Sequence, residues 1–115
     1  MICHRGDIIL VLFPDSNLRT SKRRPAVVVQ ADRLGTDLSQ TIVAMITSNM
    51  ARAGYPGRVI VRMPKRSANP SGLLTDSVIM TDNLATVLYA EIDRVIGKLP
   101  DLVELDAALR ITLAL

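Results

Sequence analysis

The sequence is poor in several residue types, and each shortage argues against a class of structure or site. It contains one cysteine and one histidine among 115 residues. A single cysteine, Cys3, cannot form a disulfide within the chain, and it is typical of a protein that folds in a reducing cytoplasm. A zinc site within one chain needs three or four protein ligands, so Cys3 and His4 argue against such a site.

Long apolar segments are also missing. No apolar run approaches the ~20 residues of a membrane-spanning helix, and the first seven residues lack the parts of a signal peptide. Hydrophobic residues make up 49% of the chain and charged residues 22%, which is typical of a folded globular protein. We therefore expect one domain over residues 1–115, located in the cytoplasm and without membrane contact.

Aromatic residues are few in the whole chain, and acidic residues are few in its first half. With no Trp, one Phe and two Tyr, the chain has little aromatic surface on which nucleic-acid bases could stack. Residues 1–66 hold 11 Lys and Arg against 4 Asp and Glu, a charge of +7, whereas residues 67–115 hold 3 against 7, a charge of −4. The basic half predicts a surface that attracts a polyanion, without distinguishing RNA from DNA or from an acidic protein.

Short runs of apolar and β-branched residues predict a mainly β fold. Strands are expected over residues 8–13, 26–29, 41–46, 58–63, 77–81 and 94–99. A short helix over residues 49–53 is expected after the third strand, with Thr47 or Ser48 as its cap, and a bend at residues 82–83. Residues 87–93 are ambiguous and could form one helical turn. After a capping-box pattern at residues 101–104, a C-terminal helix is indicated by a leucine stripe at Leu102, Leu105, Leu109 and Leu113. The pattern favours a small, strongly bent sheet or barrel that the helix closes on one side.

Residues 21–30 combine a basic loop with the start of an apolar strand. Pro25 has a fixed φ and no N–H, so it suits the first residue of a strand and holds Arg24 in extended geometry. Ala26–Val29 is apolar and mostly β-branched, which is typical of a strand buried on both faces. Arg24 is thus a cation on stiff backbone, which suits a phosphate held at fixed geometry. Most basic loops are simply solvated, so this stretch alone does not decide the function.

Several segments, taken in order, resemble the MazF/PemK-type ribonuclease toxins. They are Arg5–Ile8, Lys22–Val29, Thr41–Asn49, Asp76–Ile79, Ile96–Leu99 and Ala107–Leu113, and together they cover nearly the whole chain. The resemblance implies an SH3-like small barrel with a short helix after the third strand and a C-terminal helix. It implies the toxin of a type II toxin–antitoxin system, a metal-independent and sequence-selective endoribonuclease that cuts single-stranded mRNA to 2′,3′-cyclic phosphate and 5′-OH ends. It also implies a homodimer, a cognate antitoxin that blocks the RNA groove, and no cofactor.

The resemblance also implies which residues act. The family's functional pair, the Arg before the strand proline and the Thr of the Ile-Thr-Ser segment, corresponds to Arg24 and Thr47. RNA needs no outside nucleophile because its own 2′-OH can attack the adjacent phosphorus. Arg24 offers planar donors for phosphate oxygens, and Thr47 offers a hydroxyl beside an expected helix N-terminus that favours anions. We expect an electrostatic role for Arg24, with the proton transfer left open. The further residues expected to contact RNA are Ser21, Lys22, Arg23, Ser48, Asn49, Arg52 and Asn83.

Several alternatives stay open at this point. The basic residues 22, 23 and 52 could be ordinary solvated charges. The loop over residues 17–22 departs from the family pattern, so the resemblance does not imply which bases are selected. Asn83 and Ala85 also depart from it, so one contact of the family to phosphate or to a partner is not implied for this chain. His4 is expected at the surface, and Asp7, Asp76 and Asp82 would form a metal cluster only in a different fold. Other functional classes are a gyrase poison like the CcdB toxins, or a catalytically weak module that binds nucleic acid or an antitoxin.

Overall fold

The fold consists of six strands, two short 3₁₀ helices and one α-helix, and the computed structural model describes residues 3–14 and 21–115. The strands are β1 (Asp7–Pro14), β2 (Ser21–Val28), β3 (Gln40–Thr47), β4 (Arg58–Val61), β5 (Ser77–Leu88) and β6 (Ile92–Lys98). The first 3₁₀ helix (Met50–Arg52) follows β3, the second (Tyr89–Glu91) separates β5 from β6, and α1 (Val103–Leu113) closes the chain. The mainly β prediction is confirmed, with a short helix after the third strand and a C-terminal helix.

All strands belong to one antiparallel sheet, in the order β4-β5-β3-β2-β1-β6. β4 and β6 lie at its two edges, so hydrogen bonding in the described part of the chain does not close the predicted barrel. The regular pairing of the sheet is interrupted in β5. Its pairing with β3 jumps from Leu84 opposite Ala44 to Met80 opposite Met45, and the extra residues of β5 are accommodated in a bulge.

Both faces of the central strands are buried, as their continuous apolar runs predict. On one face, Ile8, Val27 and Ala44 pack in a cluster with Leu105 of α1. On the other face, residues 9, 26 and 43 pack in a second cluster with residues 87 and 92. Burying a large aliphatic side chain contributes about 1.5–3 kcal/mol, so the two clusters make the central strands a firm platform for the polar loops at their ends.

Several predicted boundaries were wrong. β2 begins at Ser21, well before Pro25, so Arg24 lies inside a strand and not at its junction with a loop. The predicted bend at residues 82–83 is the bulge within β5, which continues to Leu88, and β4 ends at Val61. The predicted capping box is wrong, because the cap residue is Leu102, which makes no side-chain hydrogen bond, and the Asp101 side chain accepts from the Val103 N–H. Within the ranges described, no helix is long and apolar enough to cross a membrane.

Candidate active site

The candidate site lies where β2 and β3 separate. Their ladder ends at the pair Ala26–Met45, and the next residue of β2, Pro25, has no N–H to continue it. Continuing the same register would place Arg24 opposite Thr47. The ladder between β2 and β3 stops before that pair, while the end of β3 stays paired with β5 on its other side, where Thr47 lies opposite Val78. The two strands therefore diverge with Arg24 and Thr47 facing one gap.

This gap opens into a cavity of about 880 Å³. One wall comes from β2 with Arg23 and Arg24, and another comes from the end of β3 and the 3₁₀ helix after it, with Thr47 and Arg52. Further walls come from the loop before β5, from the β5 bulge with Asn83, and from β6. Since β2 and β3 are anchored in both core clusters, the cavity has a rigid base and polar loops around its rim.

Four arginines line the cavity, and no acidic side chain is found among the described residues that line it. Two of the arginines approach one carboxylate behind the wall, since Asp93 Oδ2 lies 3.3 Å from Arg23 Nε and 4.0 Å from Arg94 Nε. The guanidinium groups of Arg24 and Arg52 have no acidic side chain within 4.0 Å in residues 3–14 and 21–115. This arrangement makes the cavity a strongly positive concave surface, suited to an anionic ligand.

Thr47 is half-buried and its hydroxyl is oriented by the turn that follows β3. Its Oγ1 accepts a hydrogen bond of 3.1 Å from the Asn49 N–H, which leaves the hydroxyl proton available for donation to a ligand. The cap of the 3₁₀ helix is Asn49, whose Oδ1 accepts from the Ala51 N–H, and not Thr47 or Ser48 as expected. The expected anion-favouring helix end is also wrong, because a helix of three residues has almost no dipole.

The structure brings together most of the residues expected from the sequence. Those that line the cavity are Arg23, Arg24, Thr47, Ser48, Asn49, Arg52 and Asn83. Lys22 is exposed on β2 but lies outside the lining, so any contact of its ammonium group with RNA would be beyond the cavity itself. The side chain of Ser21 and most of the unusual loop before it, residues 17–20, lie outside the described residues.

Sequence reasoning missed several lining residues, and three of them reach the cavity from elements that it did not connect with the site. Arg94 reaches the cavity because β6 pairs with β1, which sets it opposite Leu10, and only the sheet order reveals this. Leu74 and Thr75 belong to the loop before β5, and Leu74 is 99% exposed at the rim. The available signal for this loop was the apolar pair Leu73–Leu74, which lies shortly before the Asp76–Ile79 segment.

The alternative site residues lie elsewhere. His4 is exposed, with its Nδ1 3.7 Å from Asp32 Oδ2, and it does not line the cavity. Asp7, Asp76 and Asp82 each have a separate partner, respectively the His4 N–H, the Met63 N–H and the Arg58 guanidinium. Across the described part of the chain, no three His, Cys, Asp or Glu side chains are grouped to hold a metal ion.

Behind two of the cavity walls lies a pair of oppositely charged side chains. Arg58 donates from Nε and Nη2 to both carboxylate oxygens of Asp82, at 2.9 and 2.8 Å. These hydrogen bonds hold the pKa of Asp82 below its usual value and raise the pKa of Arg58. Farther from the site, burial raises the pKa of the Cys3 thiol, so its reactive thiolate is disfavoured.

Comparison with known proteins gives a consistent set of relatives. Residues 4–113 match the model of a family described as PemK-like, MazF-like toxin of type II toxin–antitoxin system. "Endoribonuclease MazF6" of Mycobacterium tuberculosis is 34% identical over 114 residues, covering 89% of this chain and 100% of the relative. "Endoribonuclease EndoA" of Bacillus subtilis is 34% identical over 119 aligned positions, covering 100% of this chain and 97% of the relative.

Solved structures show the same fold at lower identity. A mycobacterial endoribonuclease in complex with its cognate antitoxin superposes with a TM-score of 0.75 at 19% identity, covering 99% of this chain and 97% of that one. A MazE–MazF complex from Deinococcus radiodurans gives a TM-score of 0.72 at 18% identity, covering 100% and 98%. These superpositions support the predicted MazF-like fold.

Proposed function

Because the chain belongs to the PemK-like, MazF-like toxins of type II toxin–antitoxin systems, we propose that it cuts single-stranded RNA as an endoribonuclease without a metal ion. The observation that carries the proposal is that Arg24 and Thr47 line one positive cavity at the point where two core strands separate. Relatives at 34% identity are named endoribonucleases, which supports the same reaction class and not a gyrase poison or an inactive binding module.

The reaction is an internal transesterification of RNA. The 2′-oxygen attacks the adjacent phosphorus, the bond from phosphorus to the 5′-oxygen breaks, and a 2′,3′-cyclic phosphate forms. The 2′-OH loses a proton and the leaving 5′-oxygen gains one. Negative charge builds on the phosphoryl oxygens during the attack, and donors already fixed in place stabilise that charge most effectively.

Arg24 and Thr47 are the proposed catalytic residues. The guanidinium of Arg24 can donate to two phosphoryl oxygens at once, and the extended backbone of β2 limits its position. The Thr47 hydroxyl, whose acceptor side is occupied by the Asn49 N–H, is left to donate toward the same phosphate. Arginine keeps its proton at neutral pH, so Arg24 acts through charge and hydrogen bonding and another group or water moves the proton.

The other polar residues expected to contact RNA would hold the strand. Arg23, Arg52 and Lys22 supply cations for neighbouring phosphates, a contribution that falls as salt concentration rises. Ser21, Ser48, Asn49 and Asn83 are short hydrogen-bonding side chains suited to sugar and base edges. With no aromatic residue among the described residues that line the cavity, base selection depends on hydrogen bonds and on stacking against arginine.

Partners and location follow from the family. We infer a homodimer, since exposed apolar side chains such as Val103 and Ile111 on α1 leave this small chain with surface to bury. We also infer a cognate antitoxin, as in the mycobacterial complex, with an acidic segment that binds over the positive cavity. The single cysteine and the intracellular substrate favour the cytoplasm.

The deciding experiment is cleavage of a long single-stranded RNA by the purified protein in excess EDTA, with the ends of the products mapped. Cuts with cyclic phosphate and 5′-OH ends are expected. A matched RNA carrying a 2′-deoxy sugar on the 5′ side of one mapped cut should resist cleavage at that position only. Activity that EDTA abolishes and Mg²⁺ restores, or cleavage of the 2′-deoxy RNA at the substituted position, would overturn the proposed chemistry.

A further inference from the structure

Arg58 connects two walls of the active site without lining the cavity itself. Its side chain is 13% exposed and uses all three nitrogen atoms of its guanidinium as donors. We propose that Arg58 is a positioning residue, which sets the separation of the 3₁₀ helix after β3 from the β5 bulge. For its effect on cleavage, the proposal rests on the proposed function.

The contacts of Arg58 reach both walls at once. Nη1 donates to the backbone carbonyl of Arg52 at 2.7 Å, while Nε and Nη2 donate to Asp82 at 2.9 and 2.8 Å. The guanidinium carbon also lies 5.4 Å from the centroid of the Tyr55 ring, within the range of a cation–π contact. One planar group is thus held from three sides, which fixes its own position and the positions of its partners.

The partners of Arg58 are the immediate supports of site residues. Arg52 is the last residue of the 3₁₀ helix and lines the cavity with its own side chain. Asp82 precedes Asn83, which lines the opposite wall, in the segment where β5 bulges away from β3. Neither segment is held by a continuous strand ladder at this point, and Arg58 joins them by hydrogen bonds to both.

The residue before Arg58 makes a second contact with β5. The backbone carbonyl of Gly57 accepts hydrogen bonds from the N–H and the hydroxyl of Thr81, the residue before Asp82. The backbone beside Arg58 is therefore hydrogen-bonded to β5 independently of the guanidinium group. Replacing the guanidinium removes the bridge to the 3₁₀ helix while β4 stays paired with β5.

Geometry makes arginine necessary in this position. A lysine at residue 58 can pair with Asp82, but a single ammonium group cannot also match the fixed directions of the carboxylate and the Arg52 carbonyl. Displacements on the order of 1 Å at a reacting phosphate cost up to about 10²-fold in rate. We expect the loss of the bridge to lower the rate of the chemical step more than the affinity for RNA.

The test compares Arg58→Met and Arg58→Lys with Arg62→Met. Arg62 is a matched control, since it is an arginine that follows β4, pairs with an aspartate (Asp76, 3.5 Å) and does not line the cavity. Single-turnover cleavage should fall about 10-fold or more in Arg58→Met, with RNA affinity changed less than about 3-fold because every cation of the cavity remains. Arg58→Lys should restore only part of the rate, and Arg62→Met should cleave like the wild type.

Hydrogen exchange provides a readout that does not depend on cleavage. In Arg58→Met, exchange of the amides of residues 51–53 and 82–84 should accelerate about 5-fold or more, while the β3 amides of residues 43–46 keep their wild-type rates. Equal acceleration of all amides would show a merely structural role and overturn the proposal. The proposal also fails if Arg58→Met cleaves and exchanges like Arg62→Met. If the wild type cuts no RNA, the proposed function fails, and selective exchange still decides whether Arg58 joins the two walls.

Discussion

The substitution Arg24→Lys separates the geometry of the guanidinium from its charge. Arg24 is exposed, its backbone pairs with Val11 in the β1–β2 ladder, and Pro25 remains beside it. No core contact is lost, so the free energy of unfolding should stay within about 0.5 kcal/mol of the wild type. The net charge of the cavity is also unchanged.

The expected effect on cleavage is much larger than the effect on stability. An ammonium group makes a point contact where the guanidinium makes two parallel hydrogen bonds to phosphate oxygens. Losing a preorganised donor of this kind costs about 10²-fold or more in rate, which corresponds to about 2.7 kcal/mol of transition-state stabilisation. RNA affinity should fall less than about 10-fold, because the other three arginines that line the cavity still attract the backbone.

The assay is single-turnover cleavage of a defined RNA, read beside a binding titration and a thermal melt. Arg66→Lys is the control, since Arg66 is exposed and lies outside the cavity. Cleavage by Arg24→Lys at the rate of that control would refute the assignment of Arg24 as a catalytic residue. It would then be one cation among several, with no special geometry at the phosphate.

Three further substitutions probe the site and its supports. Thr47→Val keeps the shape of the side chain but removes the hydroxyl, so cleavage should fall about 10²-fold with little change in melting temperature. Asp82→Asn should make the free energy of unfolding depend less on pH in acid. Because Arg58 lowers the pKa of Asp82, the pair stabilises the fold above the usual value of 3.8, and this contribution disappears as pH falls through the lowered pKa. Urea unfolding from pH 7 to pH 3 would measure the difference. If the free energy of unfolding of Asp82→Asn falls with pH as steeply as that of the wild type, the result would contradict this role of the pair. Gly97→Ala would place a Cβ against the backbone of residues 70–71, so the loop before β5 should shift and cleavage should drop together with stability, as melting and kinetics on one sample would show. A wild-type melting curve for this variant would count against the close packing of that loop.

The pair Arg24 and Thr47 was expected from the family resemblance, and local signals placed each residue beside a core strand. Pro25 has no N–H, so the sequence predicts that a hydrogen-bonded ladder ends at this residue. The apolar runs before and after the basic loop predict two core strands. The register of β2 against β3, which the sequence does not state, would set Arg24 opposite Thr47 if the ladder continued past Ala26–Met45. The family resemblance supplied the roles, and the structure supplied the reason why these two positions meet.

Residues that depend on sheet order could not be predicted in the same way. Arg94 reaches the cavity only through the pairing of β6 with β1, and nothing in a linear sequence states that pairing. The polar residues Asp82 and Asn83 indicated a bend, yet they occupy a bulge inside one long strand. Arg58 and Asp82 lie 24 residues apart, so their contact is invisible to any pattern of period two or 3.6.

The fold shows where the acidic residues of the second half of the chain lie relative to the arginines of the first half. The acidic second half neutralises the cavity only in part, because Asp93 lies near two of its four arginines while Asp76 and Asp82 contact arginines outside the lining. Asp93 approaches Arg23, Asp82 holds Arg58, and Asp76 lies near Arg62. Each contact restrains a cation or a wall, whereas the guanidinium groups of Arg24 and Arg52 face the cavity without an acidic neighbour in the described ranges. Acidic residues placed in this way restrain a positive site and leave Arg24 and Arg52 to attract a phosphate backbone.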